Sequence, residues 1–449
     1  MTDAREGSLD APFRHALDWQ NPEFYDIPQV EAELERVFDI CHGCRRCFNL
    51  CDSFPRLFDL IDNGPTEELD GVPKSAYASV TEACTLCDMC FMTKCPYVPP
   101  HAFNVDFPHV LLRHRAALRK KDGGEFVREQ LGETDRNGKL AKPLAPLVNW
   151  ATDLANKPVR AAMEAVAGID KTALLPTYHS KTAGDLLKKG TAPDPAGPAF
   201  GQRKVALYAT CFVDYNAPST ATAAAAVLAK QGVETRFAYP VCCGMPELEA
   251  GNIGEVAKAA EQVCAKLLPL VDEGYDIVTL TASCGLMMKF EWPLILPDNA
   301  DVKRLAAATK DISQYVVELN KQYGLAPGLT APAGGVTVHH ACHARAQNMG
   351  AVSVQMLKLI PGAKVDLVER CSGHGGTFGV MKETHDIAVK VGKPAARQVA
   401  AKGNETLCSD CPLACKHLGQ LVEMDLKDGA RVPRQAHPVE ILAQAYGLA

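Results

Sequence analysis

The stretch "CHGCRRCFNLC" (41–51) holds four cysteines, and "CTLCDMCFMTKCP" (84–96) holds four more. The first is spaced C-x2-C-x2-C-x3-C through Cys41, Cys44, Cys47 and Cys51. The second is spaced C-x2-C-x2-C-x4-C-P through Cys84, Cys87, Cys90 and Cys95, closing on Pro96. Three cysteines at successive two-residue gaps can wrap three corners of an iron–sulfur cubane, while the fourth points away and ligates the neighbouring cluster. The spacing therefore predicts two [4Fe–4S] clusters. Cys41, Cys44, Cys47 and Cys95 would hold one, and Cys84, Cys87, Cys90 and Cys51 the other. Zinc sites use paired C-x2-C motifs rather than triplets.

The two stretches end differently. Asp52 stands where the second stretch has proline, which leaves an amide donor that proline would remove. Cys51 can still ligate, and the turn after it is expected to be less fixed. Arg45 and Arg46 inside the first stretch would either stabilise a reduced, more negative cluster or form an exposed basic pair.

A second pattern of cysteines runs through the C-terminal half. Strand-like and helix-like stretches alternate there: "KVALYAT", "PSTATAAAAVLAKQG", "VETRFAYP", "NIGEVAKAAEQVCAKLLPLVDEG" and "DIVTLTA". A second round follows through "GVTVHHA", "VSVQMLKLIPG", "KVDLVER", "KETHDIAVKVGKPAARQVAAKG" and "NETLC". Two consecutive β-α-β-α-β runs predict two parallel-sheet domains, related by duplication. Cys211, Cys242-Cys243-Gly244 and Cys284 follow the strands of the first run. Cys342, Cys371 and Cys408 follow those of the second, with Cys411 just beyond. Loops at the carboxyl ends of an open parallel sheet form its binding crevice, so these thiols are expected to converge on one metal site per domain.

Helical spacing of Val30, Leu34, Val37 and Phe38 leads into Cys41, and "PKSAYASVTEAC" leads into the second stretch. The reading is thus an α-helical ferredoxin domain over 28–120, a helical and linker region over 121–202, and α/β domains over 203–325 and 333–449. Glycine and proline gather without periodicity in "KKGTAPDPAGPAFGQRK", a linker signal.

The chain's 449 residues include 18 cysteines and carry a net charge of −6. Clustered thiols in a large chain without a signal-peptide pattern favour metal ligation over disulfides. No basic surplus points to nucleic acid. No stretch approaches a membrane span, so the expected location is the cytoplasm, with any membrane contact peripheral, at the inner face and through a partner.

The layout resembles the iron–sulfur C subunit of anaerobic glycerol-3-phosphate dehydrogenase and the heterodisulfide reductase subunits. It also resembles the iron–sulfur subunits of glycolate and lactate oxidases. The motifs that carry the resemblance are "CTLCDMCFMTKCPYVPPHAFNVDFPHVLLRHRA", "YPVCCGMPELEAGN", "HHACHARAQNMG" and "RCSGHGGTFGV", and it runs from about residue 30 to the C-terminus. It implies two tandem cysteine-rich, CCG-like domains of the form C…CCG…C-x2-C, each able to bind an iron–sulfur cluster. Both depart from that form. Met287 stands where the first domain's last thiolate would be, leaving Cys211, Cys242, Cys243 and Cys284. Ser372 replaces one of the second domain's paired cysteines, leaving Cys342, Cys371, Cys408 and Cys411. Four thiolates suffice for an ordinary cubane and argue against a five-cysteine noncubane cluster. The cofactors expected are two [4Fe–4S] clusters in the ferredoxin domain and one further iron–sulfur cluster, or a zinc ion, per CCG-like domain.

Cys415 reads as a spare thiol or a fifth ligand, and Cys264, on an apolar helical face, reads as core. His339, His340, His343 and His374 gather near the second set and would serve as proton carriers, as ligands or as structural residues. The glycines of "CSGHGGTFG" miss the G-x-G-x-x-G spacing. With no flavin or nicotinamide motif, the chain reads as an electron-transfer subunit. It would take electrons from a flavin-containing dehydrogenase, or another redox partner, and pass them to a quinone or other acceptor. The alternative is a reductase whose own CCG-like cluster acts on a disulfide, thiol or peroxide; a cluster-bearing sensor or assembly protein ranks below both.

Overall fold

The computed structural model describes residues 7, 10–425 and 431–448. The N-terminal region is helical. Helix Ile27–Cys44 starts on Asp26, whose carboxylate accepts the Gln29 amide at 3.0 Å, a standard cap for unpaired first-turn donors. Val30, Leu34, Val37 and Phe38 are all fully buried, as their spacing predicts. The helix runs past Cys41 to Cys44 and stops at Arg45, which is left-handed at φ 51°. Two cysteines of the first stretch therefore sit in a helical last turn. Helix Ser53–Asp62 buries Phe54, Leu57, Phe58 and Ile61. Phe54 stacks on Phe107 of helix Phe107–Asp122 at 4.4 Å between ring centroids. These helices frame the cysteine loops.

Beyond residue 203 lie two α/β units. The first has strands β1 (Lys204–Tyr208), β2 (Glu234–Phe237), β3 (Tyr275–Thr279) and β4 (Thr309–Asp311). The second has β5 (Val336–His339), β6 (Val365–Val368), β7 (Thr406–Ser409) and β8 (Arg434–Ala436). All pairs are parallel, in the orders β2-β1-β3-β4 and β6-β5-β7-β8. The repeated topology agrees with the duplication expected from the sequence. In each sheet the order reverses beside the first strand, which is where a doubly wound sheet opens its crevice. The sequence pattern predicted three strands per unit and missed β4 and β8. "TKD" and "RQA" are three-residue edges with no apolar run to mark them.

The two sheets share one apolar core: Leu207 and Val278 of the first unit pack in the same cluster as Val338 and Val439 of the second. Ser219 and Thr220 donate to Glu440 at 2.9 and 3.0 Å across this junction.

Residues 121–202 are more than a connector. Helices Phe126–Gly132, Thr134–Ala141, Ala145–Thr152 and Lys157–Ala167 follow in series. The stretch then pairs with both α/β units through Ile169–Met381 and Thr191–Thr235 bridges. Among the described residues no helix is long and apolar enough to cross a membrane.

Candidate metal centres

In the helical region the eight cysteines fall into two groups. Burial, then the like charges of Cys95, Cys47 and Cys44, push the Cys41 thiol well up. Cys47 is pushed to about 12 by burial, then by Cys95 and Cys44. Cys90 is raised by burial, then by Cys87, Cys84, Cys51 and Cys47. Cys51 goes to about 12 by burial, then by Cys84. Cys95 thus joins the first stretch and Cys51 the second.

Local backbone explains the loops. Amides of Ser53 and Phe54 point at the Cys51 sulfur, and those of Tyr97 and Val98 point at Cys95. The donors lie two and three residues on, so Asp52 and Pro96 occupy equivalent places and neither amide is needed. Asp52 opens helix Ser53–Asp62 and accepts from Arg56 Nε at 2.5 Å. The extra residue of Cys90-x4-Cys95 is absorbed by a wide turn in which the Cys95 amide donates to Cys90 O at 2.8 Å. Arg45 turns away to Asp62 at 2.5 Å, whereas Arg46 and Lys94 set positive charge against Cys47.

In the first α/β unit Cys211 opens a short helix after β1, preceded by Thr210 at φ 71°. That conformation is strained for a β-branched residue, and such strain gathers at functional sites. Cys242 Sγ lies 3.8 Å from Cys211 Sγ, and Cys243 Sγ lies 3.3 Å from Cys284 Sγ. The four expected thiols come together. Gly244 follows at φ 85°, a left-handed step that glycine takes without strain.

Around them stand residues that the sequence reading missed. The Asp135 carboxylate accepts the Cys242 amide at 2.8 Å and the Tyr239 hydroxyl. Trp292 Nε1 donates to Cys243 O at 3.1 Å. Asp135 comes from the region read as helical linker, and no local pattern announces so distant a contact.

In the second unit Cys342, Cys371 and Cys411 gather. Burial, then the charges of Cys371 and Cys411, raise the Cys342 thiol. Gly373 donates its amide to Cys371 Sγ at 3.3 Å. Its φ is 77°, and a Cβ there would meet Ala388 O at 2.0 Å, so helix Lys382–Lys402 admits only glycine beside the loop.

Cys408 is not brought to this group. It lies within β7, opposite Val338 and Ala436, fully buried in the apolar core on the sheet's other side. Cys415 lies behind it, its Sγ facing the carbonyls of Leu407 at 3.5 Å and Ala436 at 3.7 Å. Cys264 is a buried core residue, as its helical face implied.

The histidines divide by role. His343 Nε2 donates to Leu86 O at 3.3 Å, and its Nδ1 bonds Ser283 Oγ at 2.8 Å. One imidazole thus joins the helical region to both α/β units. His339 donates from Nε2 to Arg370 O at 2.9 Å. His340 faces Glu369 at 3.0 Å. His374 keeps a buried Nε2 without a protein partner.

The groups form a series. Cys47 of the first neighbours Cys90 of the second. Cys87 feels Cys342 and Cys371 of the second α/β unit. Cys411 in turn feels Cys284 of the first. A cavity of about 300 Å³ opens where these meet, lined by Cys51, Cys342, Cys371, Cys411, His374 and Glu249 among others. Loss of hydration pushes the Glu249 carboxyl up to about 7 against the opposing charge of Arg115.

This donor set fits iron–sulfur clusters. The thiols are soft donors, buried or half-buried and close together, a setting in which burial and mutual repulsion disfavour bare thiolates and bound iron would favour them. Among the described residues no three Cys, His, Asp or Glu side chains are placed to hold a single metal ion.

The cysteine-rich domain family, CCG, matches twice, over residues 205–289 and 336–417. A lactate utilization protein A from Geobacillus kaustophilus is 30% identical over 186 residues, 39% of this chain and 74% of the relative. The chain belongs to the CCG cysteine-rich family. The C subunit of anaerobic glycerol-3-phosphate dehydrogenase from Escherichia coli K12 is 27% identical over 318 residues, 70% of this chain and 76% of the relative. An iron–sulfur protein of Methanocaldococcus jannaschii is 28% identical over 225 residues, 49% of this chain and 42% of that one. The two CCG matches fall on the two parallel sheets, and the chain is an iron–sulfur protein of the electron-transport class.

Proposed function

We propose that the chain is the iron–sulfur electron-transfer subunit of an oxidoreductase complex. Electrons would come from a flavin-type dehydrogenase acting on glycerol 3-phosphate or a hydroxy acid, and leave to a quinone or another acceptor. The names of the relatives support the dehydrogenase partner, since they include a dehydrogenase subunit and a lactate utilization protein. What supports the reading is that the cysteine groups neighbour one another in succession. The succession runs from Cys41, Cys44, Cys47 and Cys95, to Cys51, Cys84, Cys87 and Cys90, then to Cys342, Cys371 and Cys411, and last to Cys211, Cys242, Cys243 and Cys284. Clusters bound there would supply one-electron redox changes.

The chain's own residues position and tune. Backbone amides at Cys51, Cys95 and Cys371 would stabilise negative sulfur. Asp135 places negative charge beside the Cys242 amide. Glu249, poised near neutrality on the cavity wall, would hand a proton to a reduced acceptor. The location that suits this role is the inner membrane face, reached through the partner.

A second reading, a reductase for a disulfide, thiol or peroxide, is favoured by the cavity itself. Anaerobic assays of the isolated chain separate the two. The electron-transfer reading expects reduction by dithionite, reoxidation by menadione and no turnover of disulfides or peroxides. Sustained turnover of either class by the isolated chain would overturn it in favour of the reductase.

A further inference from the structure

The two CCG domains do not present equal donor sets. Counted back from the cysteine after each first strand, Leu207 and Val338 occupy the same place, four residues before Cys211 and Cys342. Across the sheet Leu207 pairs with Val278 and Val338 pairs with Cys408. Cys408 thus fills the position of a core valine, and both residues are fully buried in one apolar cluster. At the paired-cysteine position, Cys242-Cys243-Gly244 corresponds to Cys371-Ser372-Gly373. The first domain brings four thiols together and the second brings three. Ser372, Cys342, Cys371 and Cys411 all line the central cavity, as does His374, whose buried Nε2 has no protein partner. Neither Cys408 nor Cys415 lines it.

Resting on the reading that these groups hold clusters, we propose that the second domain binds its cluster through three thiolates, Cys342, Cys371 and Cys411. The fourth corner would then be left to a donor on the cavity that Ser372 lines, an oxygen or nitrogen in place of cysteine. A metal corner without thiolate exchanges its ligand more readily, so the cavity becomes the place where a small exogenous ligand meets the series. The first domain, with four thiolates, has no such corner.

The test uses the full chain, purified anaerobically with 57Fe. Mössbauer spectra of the wild type should resolve one iron distinct from cysteine-ligated sites, and cyanide should perturb it. Cys408→Val, which installs the first domain's residue, should keep the full iron content. Cys342→Ala should lose about a quarter of the iron, the remainder reporting that the chain has folded. Ser372→Cys should abolish both the distinct iron and the response to cyanide, whereas Ser372→Ala should keep both if the donor is exogenous. Loss of both in Ser372→Ala would make the serine hydroxyl itself the fourth donor. Iron loss in Cys408→Val, or four equivalent cysteinyl irons in the wild type, would overturn the three-thiolate assignment alone. Unchanged iron in Cys342→Ala would overturn the cluster reading for this domain as well.

Discussion

The Arg14 guanidinium lies 2.7 Å from the Asp88 carboxylate, inside the loop between Cys87 and Cys90. The same guanidinium reaches Asp106 at 3.1 Å and Glu291 at 3.2 Å, and Glu291 meets His109 at 3.2 Å. This buried network ties the N-terminal segment, the second cysteine loop and the first CCG domain together. Asp88 has φ 61°, a left-handed step that its ion pair helps to hold. Removing one member of a buried pair strands the others, at about 3–5 kcal/mol. Arg14→Met should therefore lower the thermal midpoint and speed cluster bleaching in air, and Arg14→Lys should recover part of both. An unchanged midpoint would show the network to be dispensable.

Asp135 offers a test of tuning without loss of a ligand. Asn in its place can still accept the Cys242 amide but carries no charge. A reduced cluster is more negative, so the nearby carboxylate opposes reduction. Asp135→Asn should raise the midpoint potential assigned to the first CCG domain, with the iron content unchanged. Redox titration followed by EPR reads both, and a lowered potential would contradict the account.

Glu249 should set a pH dependence. With its carboxyl pushed up to about 7, the protonated fraction falls as pH rises through that value. Reoxidation by a quinone consumes protons, so its rate should fall from pH 6 to pH 8. Glu249→Gln should be slower at low pH and flatter across the range. A wild-type rate independent of pH would remove Glu249 from the proton path.

Stability should fall on mild acidification. Burial holds His114 and His437 neutral down to about 4, whereas an unfolded histidine protonates at about 6.5. Between those values the unfolded chain binds more protons, so stability is intact above about 6.5 and is lost as pH drops towards 4, at up to about 1.4 kcal/mol per pH unit for each histidine. His114 bonds Thr81 Oγ1 at 2.7 Å through Nδ1, which a glutamine can imitate. His114→Gln should flatten the decline of thermal midpoint between pH 6.5 and 5. An equal decline in the variant would assign the effect elsewhere.

Sequence reading reached what is local or periodic. The C-x2-C triplets, the buried face of Val30, Leu34, Val37 and Phe38, and the alternation of strands and helices are written in neighbouring residues. The proximity of Cys95 to the first stretch and of Cys51 to the second follows the same local spacing. Cys408 misled because a cysteine ending an apparent strand looks like one beyond it. Only the pairing of Val338 with Cys408 shows which face it takes. Asp135, Glu249 and Arg14 lay beyond reach, since each acts on residues more than 70 positions away. Edge strands of three residues carry too little pattern to be seen at all.

The central claim is that all four cysteine groups hold iron–sulfur clusters in one connected series. Counting iron and acid-labile sulfide per chain after anaerobic purification, with EPR of the reduced protein, tests it most directly. The account predicts about 16 iron atoms, and signals broadened by magnetic coupling between neighbouring clusters. About 8 iron atoms, with only two reducible cubanes, would leave both CCG domains without clusters and end the series at the helical region.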